Sequence, residues 1–196
     1  MSKFFTNSEI DISKAEKIVS ETLSNCDDGE LYLEDTKSET IVLDDNKIKS
    51  SDYSTDLGYG FRAVTSDTVA YSHSNEISEK SILNSSQNLK SSLKNKKGIY
   101  NYEIKNTNQK FYSDIDPIEE KSLKSKIDIL NEINSYARSK DSSVKQVTAN
   151  FIGEKKNIEI LRAGGQLLND ERPLVRFNVS IMVEKNGKKE TGVYGV

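Results

Sequence analysis

From Val175 the chain alternates apolar and polar residues without a break: Val175, Phe177, Val179, Ile181 and Val183, with Asn186-Gly187 immediately after. Successive strand residues point to opposite faces, so a period of two places all five apolar residues on one side of a sheet. Asn-Gly is the strongest short-range hairpin signal, because a type I′ turn needs positive φ at both central positions. The spacing therefore predicts a long strand, a tight turn and a partner strand over residues 188–196. That partner ends at Gly195-Val196 with no cap and no polar tail. The chain is expected to stop inside a sheet that a longer protein would complete.

The same reasoning orders the rest of the chain. Residues 9–25 read as a helix capped by Asp11 or Ser8, with Ile12, Ala15, Val19 and Leu23 on one face. Leu31 and Leu33 share a strand face, with Tyr32 opposite. Ile41 and Leu43 read as the next strand, Asp45-Asn46-Lys47 as a turn, and Ile48 as the opening of a third strand. Leu57–Thr65 reads as a fourth, with Tyr59, Phe61 and Ala63 on one face and Gly58 and Gly60 on the other. Glycine alternation in a strand signals a close approach, most simply a helix packed tightly on the sheet, with a ligand site as the alternative. Thr68–Ser72 follows a Ser66-Asp67 turn. Ser78 caps a helix with Ile82, Leu89 and Leu93 inward, and residues 94–110 read as a surface loop.

A further helix starts at Asp116-Pro117 or at Ser122. Its apolar stripe is Leu123, Ile127, Leu130, Ile133 or Asn134, and Ala137. Val147, Ala149 and Phe151 form one strand and Ile158 and Ile160 the next. Gly164-Gly165 turns the chain back, and Pro173 marks the start of the long strand, where a missing N–H does least harm. Four or five strands, two helices and four more strands make an α+β fold. It is expected to hold antiparallel or mixed sheet meanders packed with about three helices.

Composition narrows the function. At 196 residues the chain can bury roughly 70% of the surface its unfolded form exposes. Apolar content is only 34%, which requires a very polar surface, but the apolar residues fall in periodic runs that argue against disorder. A net charge of −3 gives no electrostatic case for nucleic acid. The run Lys94, Lys96, Lys97 reads as a solvated helix end. No window approaches the ~20 apolar residues of a membrane span, and the N-terminus lacks a signal-peptide run, so a cytoplasmic protein is expected. Phe4 lies in that polar N-terminal segment and is expected to fray.

No catalytic constellation stands out. Cys26 is the single cysteine. It fits a reducing compartment, and Asp27 and Asp28 beside it would raise its pKa rather than activate it. The pairs Asp27-Asp28 and Asp44-Asp45 sit at turns, where capping hydrogen bonds explain them. His73 is the single histidine, and its neighbours Ser72, Ser74 and Glu76 do not form an obvious relay, since adjacent strand residues face opposite ways. Lysine outnumbers arginine heavily, so Arg62, Arg172 and Arg176 mark sites where the planar guanidinium fork is needed. These are structural ion pairs or an interface or substrate-carboxylate contact. No catalytic, cofactor or metal residue is assigned in this chain.

Three tracts carry a resemblance. ERPLVRFNVSIMVEKNGKKETG resembles the segment upstream of the catalytic half of the TldD/PmbA metallopeptidases, also called modulators of DNA gyrase. GELYLEDTKSETIVLDDNKIKSSDYSTDLGYGFRAV, residues 29–64, is similar to the amino-terminal hairpins of the TldD-type subunit, with Gly58-Tyr59-Gly60-Phe61-Arg62 in place. DPIEEKSLKSKIDILNEINSYARSKDSSVKQVTANF has the family's helix-then-strand layout. The resemblance implies that residues 1–196 are the amino-terminal domain of a zinc peptidase. Its substrates would be unstructured peptides, and its partner a related family subunit or a second copy. The family's zinc site is a His-Glu-x-x-x-His helix in the carboxy-terminal half, and one histidine cannot supply two such ligands. Zinc is therefore expected in the intact protein and none in this chain, whose part would be cavity wall and subunit interface. GVYGV departs from the more glycine-rich sequence the family places there, and His73 from its aromatic or small residue. The alternatives are a free-standing binding or assembly module and the metal-lacking sibling subunit.

Overall fold

The computed structural model describes residues 3–6, 11–94, 96–100, 111–113 and 115–196. In chain order the elements are α1 (Lys3–Thr6), α2 (Ile12–Leu23), β1 (Asp28–Asp44), β2 (Lys47–Thr65) and β3 (Thr68–Ser74). Then come α3 (Glu79–Ser92), α4 (Leu123–Lys140), β4 (Val144–Leu161), β5 (Leu167–Lys185) and β6 (Lys188–Gly195). The strands form one six-stranded antiparallel sheet in the order β3-β2-β1-β4-β5-β6. This is the expected α+β class, with two three-stranded meanders and three long helices.

Tight turns set that order. Asp45 and Asn46 have φ of 49° and 70° between β1 and β2, and Asn186 and Gly187 have 53° and 76° between β5 and β6. Both central residues are positive in each turn, as a type I′ hairpin requires. Gly164 and Gly165, at 84° and 80°, join β4 to β5. The β5–β6 register runs from Asn178↔Gly195 to Lys185↔Lys188.

The strands are fewer and longer than the sequence pattern suggested. Residues 29–33 and 41–43 belong to one strand, β1, not two; β2 and β4 likewise merge segments read as separate. Residues 34–40 (EDTKSET) are polar and all half-buried, so no apolar alternation betrays a strand there while the backbone ladder continues. Pro173 lies inside β5 rather than at its start. Pairing to β6 begins only near Phe177, so the absent N–H of Pro173 falls outside that ladder.

The chain divides into two compact units. Unit 1 takes Met1–Asp35, Asp56–Phe111 and Asn157–Glu171; unit 2 takes Thr36–Thr55, Tyr112–Lys156 and Arg172–Val196. Each has its own core.

In unit 1, Ala15, Val19 and Leu23 of α2 and Ile82 and Leu89 of α3 cover Leu31, Leu33, Phe61 and Ala63 of the sheet. Asp11 caps α2 by accepting from the Lys14 amide at 2.8 Å, and Ser78 caps α3 by accepting from Ser81 at 3.2 Å. Ser8, the other candidate cap, lies outside the described residues, as does most of the expected 94–110 loop. Of that loop, Tyr100 is buried in the core rather than on the surface. Phe4 and Phe5 also belong to this core, at 7% and 8% exposure. The expectation that Phe4 frays is overturned: the polar residues around it gave no period, but two adjacent rings in α1 reach apolar cover.

In unit 2, α4 begins at Ser122, whose hydroxyl accepts from the Ser125 amide at 3.2 Å. Asp116 instead closes the preceding turn by accepting from the Ile118 amide at 2.9 Å. Leu130, Ile127 and Ile133 pack on Ile41, Leu43, Ala149, Phe151, Phe177 and Val179. The Phe177 ring meets Phe151 edge-on, centroids 5.3 Å apart. The expected stripe is only partly right. Leu130, Asn134 and Ala137 are buried as expected, but Leu123 is exposed and α4 also buries Lys126.

Candidate functional site

Strand alternation sends Leu31, Leu33, Tyr59, Phe61 and Ala63 into the unit 1 core, so Asp28, Glu30 and Arg62 stand on the other face. The Arg62 guanidinium donates to both Glu30 oxygens, from Nε at 2.6 Å and Nη2 at 2.7 Å, and from Nη2 to Asp28 Oδ2 at 2.7 Å. Arg162, at the β4 end, donates from Nη2 to the other Asp28 oxygen at 2.7 Å. Its guanidinium lies over the Tyr100 ring at 5.6 Å, and the Tyr100 hydroxyl donates to the Gly29 carbonyl at 2.8 Å. Two arginines and two carboxylates thus make a neutral network in which forks engage both oxygens of each acid.

The network tunes its members. Hydrogen bonding to Glu30, and then to Asp28, raises the Arg62 guanidinium further above its ordinary value against the opposing effect of burial. For Asp28, burial pushes the carboxyl up, but the Arg62 hydrogen bond, the Arg162 charge and the Gly29 amide outweigh it and hold the group below its usual range. A depressed folded-state value stabilises the fold above the unfolded pKa of about 3.9, and the contribution is lost as pH falls through the folded value. Urea midpoints are therefore expected to drop below about pH 4. Asp28→Asn should lower the neutral-pH midpoint and flatten that acid limb. An unchanged acid limb in the variant would contradict this assignment.

Arg62 is thus a structural ion-pair residue. Arg176 donates from Nε to Asn178 at 3.0 Å on its own strand, and Arg172 is exposed in β5. Arg62 belongs to unit 1, and Arg172 and Arg176 to unit 2. The sequence reading missed Arg162. Arg162 lies between Leu161 and Ala163 at a strand end, where the local pattern names no partner for it, and only the sheet order brings it to Asp28.

The carboxylate pairs are structural too. Asp27 accepts from the amides of Ser66 at 2.6 Å and Ile99 at 3.0 Å, in that order the causes of its lowered pKa. Asp44 accepts from Gln146 and Thr148 at 2.9 and 2.8 Å, and Asp45 pairs with Arg138. Burial first, with a smaller contribution from Asp27, pushes the Cys26 thiol up against the lowering effect of Thr65. Burial rather than neighbouring charge is thus the main cause, a correction to the sequence argument. Cys26 is an inert core residue. His73 is exposed and stacks on Tyr71, centroids 5.8 Å apart, while Ser72 turns inward to donate to Ser85 at 2.9 Å. Among the described residues no relay forms around His73. Among the described residues there is no group of three or more His, Cys, Asp or Glu arranged to hold a metal, and no helix long and apolar enough to cross a membrane.

Gly58 and Gly60 do mark a close approach, but not by a helix. A β-carbon at Gly60 would run into the Tyr71 ring, 2.9 Å from Cε2, and one at Gly58 would lie 2.9 Å from the Ser74 carbonyl. Tyr71 and Ser74 belong to β3, so the neighbouring strand supplies the contact. Beside these glycines is a depression of about 260 Å³ lined by Tyr32, Glu34, Asp56 and Tyr71.

Comparison with known proteins places these features in context. The family domain described as PmbA/TldA metallopeptidase domain 1 matches residues 29–94, and the PmbA/TldA metallopeptidase central domain matches residues 116–196. A metalloprotease TldD homolog of Buchnera aphidicola subsp. Schizaphis graminum is 34% identical over 172 residues, 87% of this chain and 36% of that protein. One from Haemophilus influenzae is 30% identical over 175 residues, with the same shares. The chain thus spans about a third of the length of these curated relatives. Among solved structures, a candidate modulator of DNA gyrase from Bacteroides thetaiotaomicron superposes with a TM-score of 0.72 at 12% identity, covering 93% of this chain and 44% of that one. TldE from Thermococcus kodakarensis gives 0.60 at 14% identity, covering 94% and 41%.

Proposed function

Since the chain belongs to the PmbA/TldD metallopeptidase family, we propose that it serves a zinc-dependent peptidase acting on unstructured peptides, as non-catalytic wall and subunit surface. The observation that carries this reading is the ordered match of two consecutive family domains along the chain. The metal chemistry would reside in sequence other than these 196 residues. With one histidine, the chain cannot furnish a two-histidine zinc helix, and the acids at Asp28, Glu30, Asp44 and Asp45 are committed to arginines and strand contacts. Zinc held by such a helix elsewhere in the longer protein would supply Lewis-acid activation of water for peptide hydrolysis. The residues here would instead fix the sheet that borders the peptide and a related or identical subunit. The protein would work in the cytoplasm.

The genomic sequence beyond Val196, read with a cleavage assay, tests this. A downstream His-Glu-x-x-x-His codon run, with peptide cleavage by the longer product and none by the 196-residue chain, is the expected result. Cleavage by the 196-residue chain itself would overturn the reading.

A further inference from the structure

Among the described residues the sheet ends at β3, and that edge carries none of the usual guards. Native edge strands are kept from pairing by lysines, prolines, inward charges or bulges. β3 reads TVAYSHS, with no Lys, Arg, Asp, Glu or Pro. Its register with β2 runs one to one from Thr65↔Thr68 to Tyr59↔Ser74, without a bulge. The other edge, β6, opens with Lys188, Lys189 and Glu190.

Hydrogen-bond alternation determines what this edge offers. Ser66 and Asp67 make a two-residue turn, so the flanking pair Thr65↔Thr68 is hydrogen-bonded, and bonded and non-bonded pairs alternate from there. Val69, Tyr71 and His73 fall in the non-bonded pairs, opposite Val64, Arg62 and Gly60. Their N–H and C=O groups therefore point away from β2, along the free edge. Their side chains share the face away from α3, because Ala70 lies in the core and Ser72 reaches Ser85. Val69 and Tyr71 are 61% and 63% exposed. The Tyr71 ring leans back across Gly60 of β2 and so leaves the edge open.

The strand matches itself. Turned about a two-fold axis at Tyr71, it lies antiparallel to its own copy, and all seven residues find a partner. Tyr71 meets Tyr71 of the second copy, and Val69 meets His73 of the second copy. These are the residues whose backbone groups face outward, so the bonded pairs this register requires coincide with the groups available. On the exposed face it sets tyrosine beside tyrosine and valine beside histidine, cross-strand pairs of the favourable aromatic and β-branched kind. No like charges are brought opposite each other. A peptide of unrelated sequence would match only the backbone.

We propose that β3 is a homotypic docking edge, at which two copies of this chain pair antiparallel about Tyr71 and join their sheets. The proposal gives a place and a register to the subunit surface suggested above. It rests on β3 alone, and its test involves no cleavage, so either reading can fail without the other. One strand pair is small against the roughly 800 Å² per partner of a standard interface. The dimer is therefore expected to be weak and to dissociate on dilution.

The test is sedimentation velocity of the 196-residue chain over a dilution series. The parent is expected to show a reversible monomer–dimer equilibrium. Val69→Lys should weaken the dimer about tenfold, by losing both valine–histidine contacts and placing an ammonium beside each His73. Adding His73→Glu should return it to within about threefold of the parent, because each new lysine then faces a new glutamate of the other copy. Within one chain positions 69 and 73 lie about 13 Å apart along the strand, beyond ion-pair reach, so only the antiparallel register explains such a rescue. Val69 and His73 are exposed, so the variants keep the fold, and unchanged circular dichroism verifies that. A monomer at every concentration would leave the edge to a peptide or another protein and overturn the proposal. So would a Val69→Lys dimer as tight as the parent's, which would place the contact elsewhere, or a double variant no tighter than Val69→Lys alone.

Discussion

Phe61→Ala is expected to lose about 3–5 kcal/mol of folding stability, from lost transfer energy and the cavity left behind. Phe61 is fully buried in the unit 1 core, among the largest side chains with no exposed surface. Phe4→Ala should also be costly, up to about 3 kcal/mol, because its ring is in the same core but on a four-residue helix that can peel away. Phe177 is only half-buried, so Phe177→Ala should fall well short of Phe61→Ala. Alternation alone would have ranked Phe177 far above Phe4. Urea midpoints of the three variants against the parent decide. A Phe4→Ala midpoint equal to the parent's would contradict the packing of α1.

Lys126→Met is the second large effect, expected to destabilise by about 3–5 kcal/mol although methionine fills much of the same volume. The Lys126 side chain is 2% exposed and Glu39 is 12% exposed. The Lys126 ammonium pairs with Glu39, donates to the Ile118 carbonyl at 2.6 Å and sits 5.2 Å from the centroid of the Phe151 ring. One residue thereby ties α4 to β1 and to the turn that precedes the helix. Removing it strands a charged carboxylate in a desolvated site, and that penalty dominates rather than any net worth of the pair. Adding Glu39→Gln to Lys126→Met should therefore recover part of the loss. A double variant less stable than Lys126→Met alone would show that Glu39 is not the stranded partner.

Those two sites also show what the sequence could reveal. Phe61 was legible because period-two alternation is carried by each residue and its neighbours. The Asn186-Gly187 and Asp45-Asn46 turns and the Asp11 and Ser78 caps were legible for the same reason: each is a local bond between residues at most a few positions apart. Lys126 was invisible, since a lysine on a helix reads as solvated until its partner, Glu39, 87 residues away, is placed opposite it. The Arg62–Asp28–Arg162 network was half legible. The scarcity of arginine singled out Arg62, but Arg162 joins only through the β1–β4 pairing, a contact between chain segments separated by two helices and a meander. The long strands were underread where polar residues occupy both faces, as over residues 34–40, because backbone hydrogen bonds extend a strand without any side-chain signature. The glycine pair was read correctly as a close approach and wrongly as a helix contact, since the covering ring comes from the neighbouring strand.

The central claim is that this chain supplies architecture to a metallopeptidase and not its metal. The most direct measurement is the zinc content of the purified 196-residue chain after exhaustive dialysis against zinc-containing and then zinc-free buffer. The expected result is far less than one zinc per chain, unchanged by His73→Ala. A stoichiometric zinc signal that His73→Ala abolishes would contradict the account.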